Sequence, residues 1–312
     1  MMKTQNVLSV SDLRKIYPGK PPVVAVDGIS FGMARGEILG FLGPNGAGKT
    51  TTIQMLIGTL TYTSGSVFYF GLDFSRHRKE IMQRVVFAST YVSLPWLLTI
   101  EQNLNVFGRL AGLSGKEIAE RSGPLLERFG ILDRKKHPVS SLSSGQISRL
   151  MLVKAFLSSP DVVLLDEPTA SLDPEMAQDV LSFLLEQRQK RGISILFTSH
   201  RMDEVTELCD RVVFLHQGRI VADDRPEKLA RSVSSHKLRL QVGDQLERAI
   251  DLAKRQNLSH AIDGRTIEVS LEEGQIPHFL DSLARAGITY STIKILEPDL
   301  EDYFLKMARK LS

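Results

Sequence analysis

The spacing of apolar and polar positions divides the chain into stretches of different texture. From Val7 to Leu42 the two kinds alternate, interrupted by Pro18-Gly19, Pro21-Pro22 and Gly36. Alternation punctuated by turn residues predicts several short strands. Ser64 to Phe70 predicts another. From Gly71 to about Val139 the texture turns helical, with a strand at Arg84 to Ala88. Thr99-Ile-Glu-Gln102 and Ser114-Gly-Lys-Glu117 each fit a capping box, which opens a helix. They predict helices at Ile100 to Leu110 and Lys116 to Phe129. Pro124, which lacks an N–H, predicts a kink or break in the second.

From Ser143 to Gly218 strands and helices take turns. Val162 to Leu165, Ile193 to Phe197 and Val212 to His216 read as buried strands. Ser143 to Leu157, Pro174 to Arg191 and Arg201 to Leu208 read as helices, and Gln217-Gly218 turns into Arg219 to Ala222. That order implies a mostly parallel sheet covered on both faces, an α/β architecture. A short helix at Glu227 to Leu229 leads into a Ser-rich boundary at Ala230 to His236. Beyond it the pattern gives a strand (Lys237 to Val242) and a helix (Gln245 to Gln256). A hairpin follows, His260 to Ile262 and Thr266 to Leu271 around Asp263-Gly264, then a helix (Ile276 to Ala286). A strand (Tyr290 to Leu296) and a helix (Leu300 to Arg309) close the chain. The order β-α-β-β-α-β matches a ferredoxin-like unit. The expected domains are therefore 6–230 and 236–312.

Composition narrows the class. The chain has 312 residues, 42% hydrophobic and 24% charged, as in an ordinary globular protein. A net charge of +3 is too small to argue for nucleic acid or an anionic membrane. The one cysteine, Cys209, excludes an internal disulfide, fits a reducing compartment and falls in a helical stretch, as a packed inert thiol would. The N-terminal residues lack the apolar core of a signal peptide, and no window approaches the ~18 apolar residues that span a bilayer. If the protein acts at a membrane, another chain is expected to supply the spanning part.

The chemistry concentrates at Gly43-Pro44-Asn45-Gly46-Ala47-Gly48-Lys49-Thr50, which fits G-x-x-x-x-G-K-[ST] between a strand and a helix. Gly43, Gly46 and Gly48 let the backbone turn and bring N–H groups near phosphate oxygens. The following helix points its positive end at the same anion. Lys49 can reach the β- and γ-phosphates, and the Thr50 hydroxyl can ligate Mg²⁺. Asp166 and Glu167 end a buried strand, which places them at the carboxyl edge of the sheet. There Asp166 can hold Mg²⁺ and Glu167 can act as general base toward water. His200 follows a second parallel strand and can contact a γ-phosphate in the same crevice. Leu142-Ser143-Ser144-Gly145-Gln146 starts a helix with Ser143 as cap, and so forms a second anion site.

Together these motifs resemble the ATP-binding cassette of ABC transporters, over about Val7 to Leu229. The resemblance implies a P-loop cassette with antiparallel and helical subdomains, followed by the smaller α+β domain. In that family Leu142 to Gln146 looks like the signature motif, Ser171-Leu172-Asp173 like the D-loop and His200 like the switch histidine. Tyr17 lies where the family stacks an aromatic ring on adenine. The resemblance further implies a head-to-tail dimer, in which ATP on Gly43 to Thr51 is covered by Ser143, Gly145 and Gln146 of a second ATP-binding subunit. Site residues implied in this way are Glu167, His200 and Lys49 for catalysis. The phosphate loop with Thr51, Tyr17, Ser143, Gly145, Gln146 and Asp173 would bind ATP, and Thr50 and Asp166 would bind Mg²⁺. The family usually places a glutamine after the strand ending near Ala88; here Ser89-Thr90-Tyr91-Val92 has none, so altered hydrolysis or coupling is expected. Leu296 to Phe304 resembles the end of cassettes that pair with a separate exporter permease. The implied protein is a peripheral ATPase at the cytoplasmic face of a membrane, whose permease docks near Pro95 to Val139. Its alternatives are a soluble ABC-type ATPase and an ATP-gated regulator with weak hydrolysis. No nucleic acid partner is expected.

Overall fold

The computed structural model describes residues 6–89, 94–233 and 235–311. They fall into two compact units, Met1–Pro226 and Glu227–Ser312.

The first unit opens with β1 (Asn6–Tyr17) and β2 (Val23–Ala34), then β3 (Ile38–Leu42) and α1 (Lys49–Leu56). β1 and β2 are 12 residues each, longer than the short strands predicted. Only the predicted breaks at residues 18–22 and at Gly36 become turns; the other irregularities are absorbed as register shifts within the pair. β4 (Ser64–Tyr69) and β5 (Leu72–Asp73) complete an antiparallel sheet of order β2-β1-β4-β5. After α2 (Phe74–Ile81) and β6 (Val85–Ser89) come α3 (Ile100–Leu110), α4 (Gly115–Arg128) and α5 (Ser144–Leu157). Its remaining elements are β7 (Val162–Asp166), α6 (Pro174–Arg191), β8 (Ser194–Thr198), α7 (Met202–Leu208), β9 (Arg211–His216) and β10 (Arg219–Asp224); α8 (Pro226–Arg231) starts on its last residue and otherwise belongs to the second unit.

The second sheet runs β10-β9-β3-β8-β7-β6. Its strands are parallel except for β10, which forms a hairpin with β9. Every residue of β3, β7 and β8 is buried, as expected for parallel strands covered on both faces. One apolar core joins this sheet to the antiparallel one: Phe41, Leu196 and Val213 share it with Leu8, Met33 and Tyr69. Cys209 ends α7, buried, and burial pushes its thiol up, out of the reactive range.

Both predicted capping boxes form. Thr99 and Ser114 each accept from the N–H of the third helical residue, while Gln102 and Glu117 accept from the backbone of the cap. Pro124 does not break α4, which is continuous from Gly115 to Arg128. Pro124 and Glu120 both lie on the exposed face, so the Glu120 carbonyl that loses its partner can bond water instead.

The second unit contains β11 (Ser235–Val242), α9 (Leu246–Arg255), β12 (His260–Asp263), β13 (Thr266–Glu272), α10 (Ile276–Arg285), β14 (Tyr290–Leu296) and α11 (Leu300–Leu311). All pairings are antiparallel, in the order β12-β13-β11-β14. The hairpin turn is Gly264-Arg265, one residue later than predicted, because Asp263 still pairs with Thr266. Gly264 takes φ 57°, the positive value that the first turn position of a tight hairpin requires. Ala249, Ala253, Phe279 and Leu283 share a core with Leu238, Leu240, Ile267 and Val269.

No helix among the described residues is long and apolar enough to cross a membrane.

Candidate functional site

The carboxyl ends of β3, β7 and β8 meet at one edge of the parallel sheet, and a cavity of about 830 Å³ opens there. Residues 44–51, Asp166, Glu167 and His200 all line it. So does Ser89, which pairs with Asp166 in the β6–β7 register.

The loop from Gly43 to Gly48 is forced into shape by its neighbours. A Cβ on Gly43 would lie 2.3 Å from the Leu215 carbonyl oxygen, and one on Gly48 would lie 2.5 Å from that of Ala25. No larger residue fits either place. Gly48 is the N-cap of α1, and no side chain caps that helix. The first-turn N–H groups of α1 are therefore left for an anion in the cavity, with the helix dipole favouring it. Lys49 Nζ donates to the carbonyls of Gly43 and, at 3.1 Å, Pro44, which holds the ammonium across the loop. Burial pushes this ammonium below the usual lysine range; the carboxylates of Glu167 and Asp166 oppose the shift.

Asp166 and Glu167 are both nearly buried. Thr198, opposite Asp166 in the parallel register, ties the pair down. Its hydroxyl donates to Asp166 Oδ1 at 2.8 Å and accepts from the Glu167 N–H at 3.0 Å. Glu167 takes φ 52°, rare for a residue with a side chain. Its Oε1 makes no hydrogen bond of good geometry but lies 3.3 Å from Nε2 of His200, whose ring is half exposed. Burial pushes the Glu167 carboxyl above the usual glutamate range. His200 opposes this, Asp166 adds to it, and Lys49 opposes it in turn. A raised carboxyl facing an open cavity suits a general base.

The site thus offers an uncapped helix start and an ammonium for phosphate, and a hydroxyl and a carboxylate for a hard cation. Among the described residues no cluster of three or more His, Cys, Asp or Glu could hold a metal alone. An oxygen-ligated ion completed by phosphate, in the manner of Mg²⁺, fits this donor set.

Residues 26–170 match the protein family described as ABC transporter. The Nod factor export ATP-binding protein I of Cupriavidus metallidurans is 33% identical over 306 residues, 96% of this chain and 97% of that protein. The chain belongs to the ATP-binding subunits of ABC transporters. The linearmycin resistance ATP-binding protein LnrL of Bacillus subtilis is 29% identical over 309 residues, 96% of this chain and 98% of its own. A solved structure of the ATP-binding subunit of an ABC transporter superposes with a TM-score of 0.67 at 29% identity, covering 72% of this chain and 92% of that one. As a member of this family the chain binds ATP and is a transport-coupled ATPase.

Other residues implied by the resemblance do not line this cavity. Ser143 is exposed and caps α5, accepting from the Gln146 N–H at 3.3 Å while Gln146 Oε1 accepts from the Ser143 N–H at 3.0 Å. Gly145 lies against the Ser171 carbonyl. Asp173 caps α6 by accepting from the Met176 N–H at 2.9 Å. Tyr17 ends β1, paired with Val23, with the Lys15 ammonium 5.2 Å from its ring centroid. Thr90 to Val92, where the family's glutamine is missing, lie outside the described residues. The cavity also has walls that no motif announced: Ala25 from β2, Gln54 from α1 and Phe87 from β6. Gln54 stands one turn after Thr50, an i,i+4 relation that could have signalled it.

Proposed function

We propose that this chain is the motor of an exporter, hydrolysing ATP to ADP and phosphate to drive a separate permease. The observation that carries the reading is the 3.3 Å approach of His200 to a Glu167 carboxyl that burial has raised, beside an uncapped helix start. ATP lies with its phosphates on the N–H groups of residues 43–51, held by Lys49. The Thr50 hydroxyl and the Asp166 carboxylate would hold Mg²⁺, which would supply positive charge against the phosphates. Glu167 takes the proton of the attacking water, and His200 holds the γ-phosphate side of the site.

Ser143, Gly145, Gln146 and Asp173 act in the other half of the reaction. None of them lines the cavity, which supports the reading that they complete the ATP site of a second subunit in a head-to-tail dimer. Tyr17 reaches adenine from the rim. Relatives that align over nearly the whole chain serve Nod factor export and linearmycin resistance, which favours export over a soluble ATPase. The subunit docks peripherally on the cytoplasmic face, through residues 95–139, on a permease that supplies the spanning helices. Exposed Trp96, Leu97 and Leu110 support that surface.

Steady-state ATPase of wild type and Glu167→Gln tests the reading. Loss of a general base costs about 10²–10⁴-fold in rate. The variant is expected to fall by that order while still binding ATP. Equal rates for the two chains in the presence of the permease would remove Glu167 from the mechanism.

A further inference from the structure

One buried charge near the site has no part in the chemistry above. Glu204 lies in the first turn of α7 and is 1% exposed. An acidic residue at a helix start normally faces water and supports the dipole. Glu204 instead faces inward. Its Oε2 accepts from the hydroxyls of Thr169 at 2.7 Å and Ser199 at 2.9 Å, both of them buried residues. Its Oε1 lies 2.9 Å from the Arg201 guanidinium. The two hydroxyls belong to different turns: Thr169 follows Glu167 and Pro168 beyond β7, and Ser199 directly precedes His200 beyond β8. Ser199 Oγ also accepts from the Arg201 N–H at 3.0 Å, closing the turn around His200.

A buried carboxylate is tolerated only while its donors stay in place, and bonds to a charged acceptor are the strong ones. Moving either turn would strip this carboxylate of a donor. We propose that Glu204 is a positioning residue for hydrolysis, tying the turn that carries Glu167 to the turn that carries His200. The inference rests on the assignment of Glu167 and His200 to ATP hydrolysis. The Thr198 tie is separate and holds Asp166 and the backbone of Glu167 without Glu204. Loss of Glu204 therefore loosens the imidazole while leaving the phosphate loop and Asp166 in place. The tied turn runs on through the Leu172 N–H, which donates to the Thr169 carbonyl at 3.0 Å, toward Asp173. Glu204 thus also links the segment assigned to the dimer face with His200.

The test is steady-state ATPase and ATP binding of the full chain. Glu204→Leu keeps the volume and removes the acceptors; kcat is expected to fall about tenfold or more with KM for ATP within about twofold. Glu204→Gln, whose amide oxygen still accepts both hydroxyls, should keep at least about a third of the wild-type kcat. Thr169→Val and Ser199→Ala should each lower kcat by about threefold and add nothing in the Glu204→Leu background. Wild-type kcat in Glu204→Leu overturns the proposal, as does a loss carried wholly in KM or full multiplication of the Thr169→Val and Ser199→Ala effects in that background. If Glu204→Leu does not fold, the two hydroxyl variants decide, and kcat within about twofold of wild type in both overturns it. Equal activity of wild type and Glu167→Gln would instead remove the assignment on which the inference rests.

Discussion

Glu167 combines two local costs. Its φ of 52° belongs to the left-handed region, and its carboxyl is nearly buried beside Asp166. Residues held in such backbone regions cost on the order of 1–3 kcal/mol, and they gather where the surrounding structure fixes a reacting group. The pH dependence follows from the raised carboxyl. The folded chain binds this proton more tightly than the unfolded chain. Stability from this group is therefore full below the ordinary glutamate value and is lost as pH rises through the raised one. At pH 8 the carboxylate is a net cost, which Glu167→Gln removes. The variant is expected to melt above wild type at pH 8. The gap should close as pH falls toward the ordinary glutamate range. Melting curves across that range check it, and a gap constant with pH would contradict the assignment. ATPase depends on the same carboxylate and should fall on the acid side at a higher pH than an ordinary glutamate would dictate.

Helices α3, α4 and α5 pack around a close approach that only a small residue permits. A Cβ on Gly108 would lie 2.5 Å from Ile118 Cγ1 and 3.3 Å from Leu157 Cδ2. Gly108→Val overfills this contact, and overpacking a core typically costs about 1–3 kcal/mol. Denaturant unfolding is expected to show that loss, with ATP binding retained because the phosphate loop is not involved; unchanged stability would mean the helices move apart freely. Element by element, the sequence was readable where the signal is local. The strand, loop and helix around Gly43–Thr50, both capping boxes and the acidic end of β7 each declare themselves within a few residues. The walls of the cavity do not, because Ala25 and Phe87 come from strands outside the motifs with no pattern of their own. Glu204 stayed hidden for a different reason. By sequence it is an ordinary acid in a first helical turn, and only the fold turns it inward. Pro124 misled because an exposed face tolerates a lost hydrogen bond that a buried face would not.

At the scale of the whole molecule, Ser143, Gly145, Gln146 and Asp173, which the proposal assigns to ATP binding, do not line the cavity. Ser143 and Asp173 cap helices within their own chain, and the role proposed for them toward ATP would need another subunit. The same reasoning applies to the contact with a permease. A singly exposed apolar residue is normal on any surface. The segment between β6 and β7 is richer than that: Trp96 is 53% exposed, Leu97 90% and Leu110 78%. Tryptophan is among the residues that most often anchor protein interfaces. A charge at such a position costs the isolated chain little, since surface substitutions stay within about 0.5 kcal/mol. Leu97→Asp and Leu110→Asp are therefore expected to leave melting and ATP binding unchanged. Burying the new carboxylate against an apolar partner is costly, so the permease should no longer co-purify with the variants. Transport should fall at least about tenfold with it, the loss expected from an interface anchor worth over 1.4 kcal/mol. Co-purification and transport measured on the same membranes decide the matter. Variants that keep both would place the permease contact on another face.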